Sequence, residues 1–155
     1  MLLRGKSPIR GEGRGGGFGQ RSRGYGSGMS YTIFNLRDAE DMAVKGGFSE
    51  QQEARFPWRE LDAEATGVAL LKVKAGQRQP FAHRHDHAEE IYVVTDGSGQ
   101  IKLDDEVLDL EPMDAVRIAP NVTRSLAGGP EGIEVLAFGP HHEGDGELVE
   151  GFWDE

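Results

Sequence analysis

The sequence contains no cysteine. That excludes disulfide frameworks, thiolate metal sites and cysteine nucleophiles. It has no apolar run approaching the roughly 18 residues that a membrane-spanning helix needs, so no membrane partner is expected. A secretory signal is not expected either, because Arg4 follows Met1-Leu2-Leu3 at once with no apolar stretch behind it. The expected compartment is the cytoplasm. No glycine-rich phosphate loop leads into a helix, and no serine sits in a nucleophile elbow. Positive charge is in short supply: 17 Lys and Arg face 27 Asp and Glu, for a net charge of −10. That balance argues against nucleic-acid binding by the chain as a whole.

What is present is the composition of one globular domain, 37% hydrophobic and 28% charged over 155 residues. The charge is unevenly spread. Residues 1–28 carry five Arg and one Lys against one Glu, or +5, which leaves −15 for residues 29–155, the difference between −10 and +5. Ten of the 23 glycines also fall in residues 1–28. This segment lacks the aliphatic residues needed to offset its ordering entropy and is expected to be disordered. Two roles suit it. Arg14, Arg21 and Arg23 with Phe18 and Tyr25 would suit an RNA-binding arm. Alternatively, Met29 is the true start and residues 1–28 are leader or spacer.

Residues 29–64 are expected to hold an N-terminal strand and loop extension. Tyr31 to Leu36 alternates and reads as a strand, and Asp38 to Lys45 as a short helix ended by Gly46-Gly47. Residues 48–56 read as loop or short helix, and Trp58 to Leu61 as a weak strand. Residues 65–139 carry the regular pattern. Strands are expected at Ala65–Lys74, Glu90–Thr95, Gln100–Leu103, Val107–Leu110, Ala115–Ala119, Thr123–Ala127 and Ile133–Phe138. Turns are expected at Asp96–Gly99, at Asp104-Asp105, at Pro120-Asn121 and at Gly128–Pro130. Many short strands spaced by turns predict an all-β barrel or sandwich. Residues 140–155 read as an acidic tail whose Phe152-Trp153 packs on the barrel exterior or on a partner subunit.

The chemistry gathers in one stretch. His83, His85 and His87 alternate, and residues two apart on a strand share a face, roughly 6.7 Å apart. Glu90 opens the next apolar run. Two imidazoles and a carboxylate form a ligand set suited to Fe, Mn, Ni or Zn with open positions. A solvated polar loop would show the same spacing. His141-His142 reads as a surface pair.

The whole segment runs Gly76, six residues, His83-Arg84-His85, four residues, Glu90, six residues, Gly97. It resembles the first signature motif of the cupin superfamily. The strand–turn–strand that follows, with Asp114 to Arg124, falls where cupins place their second motif. The resemblance implies a cupin-like double-stranded β-helix (jelly-roll) barrel, a homodimer and an internal pocket for a small-molecule ligand. The second motif departs from the pattern, and Arg124 stands where a fourth ligand histidine is usual. Arginine stays protonated and is no ligand. Three arrangements remain open. His83, His85 and Glu90 hold a divalent metal while Arg124 binds an anionic substrate; Arg124 neutralises Glu90 in a metal-free, non-catalytic cupin that senses a ligand or serves as a structural dimer; or His87 replaces the missing ligand. A catalytic form would suit isomerase or dioxygenase chemistry on a polar, anionic molecule.

Overall fold

A computed structural model describes residues 31–140, 142 and 144–154. The expectations for residues 1–28, a disordered tail or RNA-binding arm, lie outside the described residues, as does His141. Eight strands form one curled sheet: β1 (Gln52–Arg55), β2 (Gly67–Val73), β3 (Ala82–His85), β4 (Glu90–Leu103), β5 (Glu106–Leu110), β6 (Ala115–Ile118), β7 (Arg124–Gly139) and β8 (Gly146–Val149). The path runs β1-β2-β7-β3-β8, and β4 pairs β5, β6 and β7 off it. The fold is an all-β double-stranded β-helix. One helix, α1 (Met42–Gly46), lies before β1. No helix among the described residues is long and apolar enough to cross a membrane.

The two long strands β4 and β7 form the spine. They pair from Ile91↔Phe138 to Leu103↔Arg124. Their inward residues, including Tyr92, Val94, Ile101, Leu126, Ile133 and Val135, close the core with Leu71 and Val73 of β2. The expected turns at 96–99 and 128–130 are instead bulged strand, with register shifts between Val94 and Asp96 and between Gly97 and Gly99. The glycines there serve close backbone approach. Gly97 has φ +69, and a Cβ on it would lie 2.2 Å from the Gly132 carbonyl oxygen.

The turns at Asp104 and Asn121 form as their residue types suggest, with φ values of 49° and 67°. Of the helix expected over Asp38–Lys45, only α1 forms, beginning at Met42; it is capped by the Asp41 side chain on the Ala43 amide and by Gly47 at φ +79.

Four other local expectations are corrected. Tyr31–Leu36 is not a strand: alternation alone supplies no partner edge, Ile33 is 80% exposed, and a 3-10 turn begins at Leu36. Gln52–Arg55 is strand rather than loop or helix, because it completes the β2 edge from Gln52↔Val73 to Arg55↔Leu70. Trp58–Leu61 is turn, closed by Leu61 N–H to Pro57 O and Ala63 N–H to Trp58 O. Within residues 140–155, β8 forms against β3. Beyond it, Trp153 donates from Nε1 to the buried Ser125 hydroxyl at 2.8 Å, and Lys102 donates to the Phe152 carbonyl.

Candidate metal centre

β3 places His83 and His85 on one face, two residues apart. The connection to β4 is only Asp86–Glu89. It is fixed by Asp145, whose carboxylate accepts from the amides of His87 (2.9 Å) and Ala88 (3.0 Å). The Asn121 amide, in its positive-φ turn, donates to the His85 carbonyl at 2.7 Å. Glu90 therefore starts β4 facing the histidines. His83 Nε2 lies 3.6 Å from Glu90 Oε2, and His85 Nε2 lies 3.6 Å from Glu90 Oε1. The ligand atoms of all three lie within 4.8 Å of one another.

Arg124, at the start of β7, pairs in register with His83. Its side chain is 0% exposed, with Nε 3.4 Å from Glu90 Oε2. Nη1 donates to the His83 carbonyl at 3.4 Å. Arg124 is not among the residues that line the cavity, and its Nε faces Glu90. His87 is turned outward, with Nδ1 3.5 Å from Asp145, and does not join the His83–His85–Glu90 group. It forms a separate, largely exposed group with Asp86 and Asp145.

The electrostatics follow from these distances. Burial pushes the Glu90 carboxyl up, but side-chain contacts with His83 and His85 and the positive charge of Arg124 outweigh it. The carboxyl is held well below the usual carboxylate range. Tyr92 is fully buried with its hydroxyl 3.4 Å from His83 Nε2. Burial first, and then the Glu90 charge, push its phenol well above the usual range. Desolvation opposes ionisation of Asp145, but the Ala88 and His87 amides win and lower it. Asp145 Oδ2 also lies 3.4 Å from His85 Nδ1.

The three residues fit a divalent ion. Glu90 Oε2 is buried without a hydrogen bond. Bonds of about 2.1 Å at tetrahedral angles separate two ligand atoms by about 3.4 Å. The 3.6 Å pairs need contract by only a few tenths. Mixed nitrogen and oxygen donors suit Fe, Mn, Ni or Zn and do not choose among them.

The cluster opens onto a cavity of about 500 Å³. Its walls are largely apolar, with Phe48, Trp58, Leu71, Phe81 and Leu148, and polar groups enter at His83, His85, Glu90, Gln52 and Gln79. Phe48 and Phe81 meet edge to face at 5.4 Å. Asp145 and Gln52 were not read from the sequence. No spacing rule marks a lone glutamine or one acid within an acidic tail.

A curled double-stranded β-helix with two histidines and a glutamate at its cavity defines a class of small barrel proteins. The family model described as Cupin domain matches residues 69–136. Solved structures agree on the fold. A cupin protein from Bacteroides fragilis is 23% identical, with TM-score 0.60, covering 75% of this chain and 88% of its own. A conserved protein with a double-stranded β-helix domain from Klebsiella pneumoniae is 16% identical, with TM-score 0.60, covering 76% of this chain and 96% of its own. The polyketide cyclase RemF from Streptomyces resistomycificus is 17% identical, with TM-score 0.62, covering 78% of this chain and 85% of its own. No curated protein matches the chain.

Proposed function

We propose that the protein is a metal-dependent cupin that binds a small molecule with an anionic or polar head and an apolar body. The observation that carries this is the convergence of His83, His85 and Glu90 within 4.8 Å at the edge of an apolar cavity. A bound divalent ion would supply Lewis acidity to the ligand's head group. Glu90 stays ionised to bind the ion, and Tyr92 remains a neutral hydroxyl beside His83. The apolar walls seat the body and exclude water. Arg124 pairs with Glu90 rather than touching the ligand, and it competes with the ion for the carboxylate. In catalytic form the site suits isomerase or dioxygenase chemistry. A homodimer and a cytoplasmic location are proposed on the cupin resemblance alone.

The 3.4 Å contact between Arg124 and Glu90 also supports a second reading, a metal-free binding cupin whose carboxylate is already neutralised. Metal content decides between them. Tag-free protein purified without chelator is analysed by plasma mass spectrometry, for the wild type and Glu90→Ala. Near-stoichiometric metal in the wild type, lost in a folded variant, supports the metal site. Substoichiometric metal in both sinks it in favour of the neutralised pair.

A further inference from the structure

One wall of the cavity carries a polar side chain that the metal centre does not use. Gln52, at the start of β1, is 3% exposed and lines the cavity. Its orientation is settled by a relay that begins at a backbone amide. The Leu126 N–H donates at 2.9 Å to Gln79, so the accepting atom of Gln79 must be its amide oxygen Oε1. Gln79 is pinned further by its own N–H to the Leu126 carbonyl at 2.9 Å. Its Nε2 is therefore the atom that meets Gln52, donating at 3.1 Å to Gln52 Oε1. That leaves Gln52 Nε2 as a donor, and among the described residues no hydrogen bond occupies it. Although Gln52 as a residue is buried, this atom is not sealed in: it opens to the cavity and can donate there.

Around this donor the wall is aromatic, with Phe48, Phe81 and Trp58. We infer that Gln52 determines ligand specificity, its Nε2 donating to an acceptor oxygen on a ligand with a flat, apolar body. The class is an aromatic or alicyclic compound bearing a carbonyl, ether or hydroxyl oxygen in addition to the head group. This rests on the proposal that the cavity takes a small molecule, but not on a metal being bound. The relay prepays the orientation: Gln52 cannot turn its oxygen to the cavity without breaking its bond from Gln79. A ligand offering only donors, or an apolar group, at that point would strand the amide.

The test uses matched probes that differ at one atom. 2-Naphthoates carrying methoxy at ring positions 5, 6 or 7 are compared with their ethyl isosteres by isothermal titration calorimetry on the full chain. The wild type should prefer methoxy over ethyl at one of these positions by roughly two- to tenfold, the yield of one neutral hydrogen bond. Gln52→Leu should erase that preference. Gln52→Glu keeps an oxygen for Gln79 and replaces the free donor by an acceptor, so it should erase or reverse the preference in a variant that retains the relay. A wild type with no methoxy preference, or no naphthoate binding, overturns the inference even if both variants fail to fold. So does a preference that survives in either folded variant. Metal content measured on the same preparation separates the two proposals. Gln52-dependent binding without metal leaves this one standing and removes the metal site; metal without naphthoate binding does the reverse.

Discussion

Replacing Arg124 by Met should destabilise the metal-free protein and, at the same time, tighten its hold on a divalent ion. The guanidinium Nε stands 3.4 Å from Glu90 Oε2. At an effective dielectric near 20, that separation corresponds to about 5 kcal/mol of attraction. Arg124 has no exposed side-chain surface and Glu90 has 16%, so solvent screens the pair little. Desolvation consumes part of the gain, and breaking a buried pair costs about 3–5 kcal/mol because one charge is left alone. Glu90 keeps His83 and His85 at 3.6 Å, which favours the lower end, about 3 kcal/mol. Methionine retains an apolar stem, so little of this loss is packing.

The assay is urea unfolding of chelator-treated protein, followed by tryptophan fluorescence. Glu90→Gln and the double variant complete a cycle, and the double variant should be more stable than the sum of the single losses predicts. A metal ion would take over the role of the missing cation. Mn(II) or Zn(II) affinity should therefore rise at least about tenfold in Arg124→Met, a change of about 1.4 kcal/mol, well inside the electrostatic term. A stability loss under about 1 kcal/mol, additive single losses, or weaker metal binding in Arg124→Met would each refute the argument.

Three other outcomes follow from the same structure. The folded-state pKa of Glu90 lies below its ordinary value of 4.5, so the stability it contributes is complete above that range and is lost as pH falls through the folded value. In chelator-treated protein, the urea-midpoint difference between wild type and Glu90→Gln should be full at pH 7 and shrink steadily below about pH 5; a constant difference contradicts the assignment. Gly97→Ala should cost about 1–3 kcal/mol, since its Cβ meets the Gly132 carbonyl at 2.2 Å and φ is +69; an unchanged melting curve would show that the bulge relaxes freely. Trp153→Phe strands the buried Ser125 hydroxyl and should lower stability by about 1–3 kcal/mol while leaving metal content unchanged.

The site was more legible than the boundaries of its strands. The convergence of His83, His85 and Glu90 could be read because residues two apart on a strand share a face and the run from Gly76 to Gly97 resembles a known motif, whereas the spacing alone would equally suit a polar loop. The glycine-rich stretches misled because Gly carries two meanings. Asp96–Gly99 and Gly128–Pro130 look like turns, yet here glycine removes a Cβ so that neighbouring carbonyls can approach inside continuous strands. Gln52–Arg55 escaped because only two of its four residues point inward, and one of those is a glutamine. Gly146–Val149 is short and acidic, and only its partner β3 makes it a strand. Arg124 was recognisable as a cation in place of a ligand. Its position behind Glu90 depends on the β3–β7 register, which no local pattern encodes.

The pairing of β3 has a consequence for what keeps the histidines in place. Along its length this histidine-bearing strand meets β7 only at His83↔Arg124, whereas β8 pairs with all four of its residues. Asp145, which ties down the loop between the histidines and Glu90, immediately precedes β8. Loss of residues 145–149 would therefore leave the β4–β7 spine paired but strip the histidine strand of its full-length neighbour and its loop of its anchor, so the rigidity of the ligand set is separable from that of the core.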